Sequence, residues 1–166
     1  TIALLVRSRS HLLEIVEHLK QARIKYQAIE IEHLGHRPVV QDLLALTRAL
    51  LHLGDRVAWL ALLRAPWCGL TLNDLEQIAG DDHSKTIWAL LNQDERLKRL
   101  SINGQQRLSR LLEVLHLTLV QRHRKSLRRW VEGTWQALGG PACLADLTDL
   151  EDAEIFFDTQ IGRAHV

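Results

Sequence analysis

Hydrophobic and polar positions along the chain change rhythm near Pro38. Ahead of it, the continuous apolar run at residues 2–6, with β-branched ends, predicts a buried strand. Ser10 offers an N-cap oxygen, and Leu12, Leu13, Val16 and Leu19 follow at helical spacing. Tyr26, Ala28, Ile29 and Ile31 then return to strand-like chemistry. Strand, helix and strand over roughly thirty residues make the size of a βαβ unit. From Pro38 onward the pattern is helical almost throughout. Proline suits a first helical turn, and "VVQDLLALTRALLHLG" stops at Gly54. Asp55 caps "RVAWLALLRA", and "PWCGL" interrupts the rhythm. Thr71 caps "LNDLEQIAG", Ser84 caps "KTIWALLNQ", and a long amphipathic helix is expected over 105–121. Ser126 opens "LRRWVEGTWQALGG", and Thr148 with Glu151 forms a capping box for a last helix. The expected fold is mainly α with a small α/β edge: an incomplete, two-strand parallel sheet followed by a multi-helix domain.

Composition sharpens this only locally. The net charge of +1 selects no partner, but its distribution is uneven. Residues 96–129 hold ten Lys/Arg against the single acid Glu113, whereas 146–158 hold six acids and no base. A basic face for phosphate with an acidic tail nearby is one reading, and two ordinary solvated helix faces are the other. The two cysteines, Cys68 and Cys143, stand far apart with no metal-ligand spacing around them, which suits a reducing compartment. No segment has the apolar length to span a bilayer, so no membrane partner is expected and the cytoplasm is the default location. The chain has no Met and starts inside the expected strand, which reads as an internal piece of a longer protein. The closing "IGRAHV" lacks any periodic logic, and 161–166 reads as a non-native tail.

Catalytic constellations are incomplete. His33 and His36 lack further ligands at zinc spacing, so no metal site is expected. Cys68 has no base linked to it, Asp81 and Asp82 read as a solvated turn, and no glycine-rich phosphate loop with Lys-Ser/Thr occurs. Trp59 and Trp88 fall on apolar helix faces. Trp130 and Trp135 flank basic residues, where core packing outweighs base stacking. Arg7 stands just past the end of the first expected strand, where open α/β sheets place ligands. Its planar, permanently charged guanidinium suits a phosphate, and a surface arginine is the alternative.

The segment "IALLVRSRSHLLEIVEHLKQARIKYQAI", continuing through "EHLGHRPVVQDLLALTRALLHLGDRVAWLALLRAPWCGLTLNDLEQIAG", resembles the start of the second motor domain of UvrD/Rep/RecB-like superfamily 1 DNA helicases. Their Arg-x-x-x-x-Asp motif is matched by Arg37 to Asp42. The resemblance implies a start of a RecA-like motor domain at 1–37 and a helical inserted domain at 38–160. It implies that Arg7 contacts the γ-phosphate of ATP as a catalytic arginine, and that Val6 stands where an adenine-packing tyrosine is common. It places Arg37 near the single-stranded DNA path. Gly69, Leu70 and Thr71 fall on a turn that holds duplex phosphates, with Thr71 in place of a second glycine. The implied cofactors are ATP and Mg2+, both bound mainly by parts beyond this chain. The implied partners are single-stranded and duplex DNA, with a nuclease domain or partner subunit as a further candidate. The expected function is therefore part of an ATP-dependent DNA helicase in repair or recombination. The alternative is a stand-alone helical nucleic-acid-binding or protein-interaction module without ATPase activity.

Overall fold

The computed structural model describes residues 4, 6, 10–22, 24, 34–159 and 161. Two units are distinguished, 1–33 and 34–166. In the first, α1 (Ser10–Gln21) is amphipathic, with Ile15, Val16 and Leu19 half-buried. The second begins with a 3-10 turn (Leu34–His36) and continues through α2 (Pro38–Leu51), α3 (Arg56–Arg64), α4 (Leu72–Ala79), α5 (Ile87–Leu91) and α6 (Asp94–Leu97). The long α7 (Ile102–Val120), α8 (Leu127–Ala137), a 3-10 turn (Gly140–Cys143) and α9 (Leu147–Thr159) complete it.

The mainly helical expectation holds, but its sheet does not. Among the described residues there is no strand, and Leu4 and Val6 lie outside any regular element. The remaining residues of both expected strands lie outside the described residues. The physical reason for the correction is that short apolar runs do not distinguish strand from other buried structure by periodicity alone. Two strands without further neighbours also leave most of their backbone groups unpaired.

The core of the second unit is a helical hairpin, α2 against α3, with α8 and α9 packed on α2 and α5 on α3. Pro38 begins α2 at its first turn, and Val39, Leu43, Leu46 and Leu50 recur at three- and four-residue steps to make its buried stripe. On α3, Trp59, Leu62 and Leu63 are fully buried. The Asp55 side chain accepts from the Ala58 N–H at 3.0 Å, so the expected cap is the observed one. Trp130 and Trp135 are both buried, and the Trp130 indole N–H donates to the Thr118 carbonyl at 2.9 Å, tying α8 to α7. Three expected helix starts move. Thr86, not Ser84, caps α5, because Ser84 donates its N–H and hydroxyl to Asp82. Ser101 caps α7, whose first residue, Ile102, lies three residues ahead of the expected start. At α9, Asp146 accepts from the N–H groups of Thr148 and Asp149, so the cap sits ahead of Thr148.

One buried carboxylate joins two helix starts. Thr71 and Asp74 form a reciprocal capping box at α4: the Thr71 hydroxyl accepts from Asp74 N–H at 3.1 Å and donates to Asp74 Oδ2 at 2.8 Å. Asp74 Oδ1 also accepts from Ser101 N–H at 2.8 Å, and Oδ2 from the Ser101 hydroxyl at 3.2 Å. Ser101 in turn accepts from Gly104 N–H at 2.9 Å. A Cβ on Gly104 would stand 2.8 Å from the Asp74 carboxyl carbon, so glycine is what lets α7 close on α4. Asp74 is only 1% exposed. Burial pushes its carboxyl up, but the donors from Ser101 and Thr71 outweigh burial and hold it below the ordinary range.

Asp74→Ala leaves orphan donors at two helix N-termini and is expected to cost about 3 kcal/mol, seen as a lower urea midpoint. The sign of the pH effect follows from the lowered carboxyl. Its contribution is present above the unfolded carboxyl value of 3.8 and is lost as pH falls through the lower folded one. Asp74→Asn is therefore expected to flatten the acid-side loss of stability below about pH 4; an unchanged acid limb contradicts the assignment.

Candidate nucleic-acid interface

Arg7 lies outside the described residues. Val6 is half-buried and in no regular element. Arg37 takes the N-cap position of α2 in extended backbone (φ −69°, ψ 132°) and pairs with buried Asp152 of α9, Nε to Oδ2 at 3.5 Å. Burial raises the Asp152 carboxyl, Arg37 opposes that, and Asp149, Glu151 and Asp146 add to the rise. The Arg37–Asp152 contact therefore pins the start of α2 to the acidic last helix. Asp42, the other end of the Arg-x-x-x-x-Asp match, has no ion pair or hydrogen bond to its carboxylate among the described residues. Burial pushes it up to about 6.

The Gly69–Leu70–Thr71 turn is built by arginines on either side. After α3 the chain folds back, with Cys68 and Gly69 N–H both donating to the Ala65 carbonyl at 2.9 and 2.8 Å. Gly69 has φ +63°, where a side chain is strained, and a Cβ there would meet Arg107 Nη1 at 2.7 Å. Arg107 Nη1 donates to the Cys68 carbonyl at 3.3 Å and its Nε to Asn103 Oδ1. Arg64 Nη1 donates to the Leu70 carbonyl at 2.7 Å. Leu70 is fully buried, its N–H donates to the Leu63 carbonyl at 3.0 Å and its carbonyl is taken by Arg64, so it offers nothing outward. Thr71 is exposed, but its hydroxyl is held by Asp74. The Cys68 thiol is buried and pushed up to about 11 by that burial, against a backbone hydrogen bond and the Arg107 charge, so it is a packing group rather than a nucleophile.

The basic stretch divides into cations that hold the fold and cations that face water. Arg96 is buried, with Nη1 donating to the carbonyls of Gln77 (3.3 Å) and Ile78 (3.0 Å) and to Asp81. It closes the C-terminal end of α4, where a cation is favoured. Arg122 donates to the Leu51 carbonyl, joining the ends of α7 and α2. Lys98 pairs with Glu95, Arg99 with Asp81, and Arg128 with Glu132 and Asp158. Through Asp158 the acidic last helix does meet the basic stretch. Arg110, Arg124, Lys125 and Arg129 remain: all four are exposed and without an ion pair among the described residues. Three of them gather where α7 gives way to α8. His123 makes that bend in the left-handed region (φ 68°), and the first turn of α8 carries no acid. Cations at the positive end of a helix repel its dipole, so this corner is electrostatically suited to an anion.

Sequence reasoning alone missed Arg64 and Asp74. A Thr-x-x-Asp spacing ahead of an apolar run signals a cap, but Asp74's second partner lies 27 residues away. Among the described residues, no group of three His, Cys, Asp or Glu could hold a metal ion. No helix there is long and apolar enough to cross a membrane.

Asp42 gives a direct check on this electrostatic picture. With its carboxyl raised from 3.8 to about 6, the stability it lends is full below 3.8 and lost as pH rises through about 6. Asp42→Asn is expected to stabilise by on the order of 1 kcal/mol at pH 8, after allowance for solvent at this half-buried site, and by nothing at pH 4. Urea titrations at the two pH values test it, and an equal effect at both contradicts it. No protein-family model matches the chain and no curated protein matches it, so the reading of this surface rests on its own geometry.

Proposed function

We propose that the chain serves as the nucleic-acid-contacting helical part of an ATP-dependent superfamily 1 DNA helicase. The observation that carries the reading is the set of exposed, unpaired cations Arg110, Arg124, Lys125 and Arg129 along α7 and at the start of α8. Neighbouring cations of the same stretch are consumed by carbonyls and carboxylates, so these four are the ones left for phosphate. Their spread along a helix suits a backbone rather than a single phosphate, because a strand presents charge at regular intervals. The motor part of the reading rests on the resemblance around Arg7. In it, Arg7 stabilises charge on the transferring phosphoryl group, while ATP and Mg2+ are held mainly by the longer protein. The second reading is a helical binding module without ATPase activity, favoured by the wholly helical character of the described residues.

The combined variant Arg124→Ala, Lys125→Ala and Arg129→Ala is expected to weaken DNA binding and to lower the slope of log K against log salt by about 2 to 3. Its melting temperature should stay at that of the wild type, since none of the three holds the fold. An unchanged slope, or weak binding already insensitive to salt in the wild type, contradicts the interface. In the longer protein, Arg7→Ala is expected to abolish ATP hydrolysis and largely keep DNA affinity. Hydrolysis that survives leaves only the helical binding module.

A further inference from the structure

Between α6 and α7 lies a groove of about 470 Å3, open to solvent. Buried Leu108 and half-buried Leu97 and Leu112 give it an apolar floor. Along α7 it runs from Gln105 to His116, a rise of about 16 Å or three helical turns. Both ends are tied to the fold. The Gln105 side-chain amide donates to the Leu100 carbonyl at 3.0 Å. At the other end the His116 ring lies against Trp88, with 4.9 Å between centroids, and Trp88 lies against fully buried Trp59 at 5.4 Å. The groove is therefore preformed, with an aromatic contact to the core at one end.

Charge sets its chemistry. Residues 96–129 hold ten Lys/Arg and a single acid, yet that acid, Glu113, lines this groove, as Asp94 does. Both are exposed, and neither carboxylate has an ion pair or hydrogen bond among the described residues. Arg110, one turn before Glu113, leaves it unpaired. Lys98, the cation lining the groove, spends its charge on Glu95 at 2.5 Å. An apolar floor with two unpaired carboxylates repels a phosphate backbone and fits a partner whose apolar stripe is flanked by cations. The floor follows a helix for three turns, and no strand edge is offered among the described residues. That geometry fits an amphipathic helix laid beside α7. Arg110 stands about 160° around α7 from Leu112, so this face is separate from the cations assigned to nucleic acid.

We propose that the α6–α7 groove docks a basic amphipathic helix of a partner protein. The apolar stripe of that helix lies on Leu97, Leu108 and Leu112, and its Lys or Arg side chains meet Asp94 and Glu113.

The test titrates the full chain into a fluorescein-labelled helical peptide of about 18 residues, with leucines at i, i+3, i+4 and i+7 between lysines, read by anisotropy. A second peptide carries glutamate in place of every lysine. Wild type is expected to bind the lysine peptide about tenfold more tightly than the glutamate peptide. Asp94→Lys with Glu113→Lys is expected to invert that preference. Ser109→Tyr, at an exposed position lining the groove, is expected to weaken the lysine peptide about tenfold with the melting temperature unchanged. Arg124→Ala with Lys125→Ala and Arg129→Ala is expected to leave peptide binding as it is, so the groove and the nucleic-acid surface stand or fall separately. A lysine peptide that binds the doubly substituted chain as tightly as wild type sits elsewhere, as on acidic α9, and overturns the groove. Equal binding of both peptides to wild type, or binding of neither, overturns it as well. Dimerisation in sedimentation runs that the double lysine variant abolishes would place a second copy in the groove and overturn the assignment to a partner protein.

Discussion

The joining of the starts of α4 and α7 depends on a single buried carboxylate. Asp74 accepts from Thr71 at one helix start and from Ser101 at another, so two sets of orphan N-terminal donors are organised by one anion. A buried charge is costly unless surrounded by donors, and here the donors are supplied by two helices at once. That requirement fixes the approach of α7 to α4, excludes a side chain at Gly104, and sets where the turn before α4 ends. The Gly69–Thr71 turn ends where this bond network begins, at the Thr71 cap.

Charge elsewhere follows the same logic of satisfaction first. Arg96, Arg64, Arg107 and Arg122 spend donors on backbone carbonyls at helix ends and turns. Arg37 partly offsets the burial of Asp152, whose carboxyl stays above its ordinary range. Within the basic stretch, what remains after these internal claims among the described residues is Arg110 on α7, and Arg124, Lys125 and Arg129 at the α7–α8 corner. A net charge of +1 conceals this because, Glu113 apart, the acids that balance the chain lie outside the basic stretch.

Legibility in the sequence tracked how local each determinant is. The helices from α2 onward were readable because their apolar residues recur at three- and four-residue steps, and Asp55, Thr71 and Ser126 were recognisable caps since each bonds within three residues. The starts of α5 and α9 shifted where two polar residues compete for one cap, as Ser84 and Thr86 do. The expected two-strand edge failed because alternating or continuous short apolar runs carry little information without partner strands. The candidate site was legible only in part. The left-handed backbone at Gly69 was not specified by the sequence reading, and the burial of Arg96 and the second bond of Asp74 are tertiary facts that no local pattern encodes. The basic stretch read either as a face for phosphate or as an ordinary solvated helix face, whereas the fold divides it into internal and external cations.

The most direct test of the central claim is hydrogen–deuterium exchange of the full chain with and without forked DNA. The account predicts slowed exchange in three segments, 68–73, 101–110 and 121–130, with α2 and α9 unchanged. Protection confined to α2 and α9, or none at saturating DNA, would contradict the claim that α7 and the α7–α8 corner, with the Gly69–Thr71 turn, form one nucleic-acid surface.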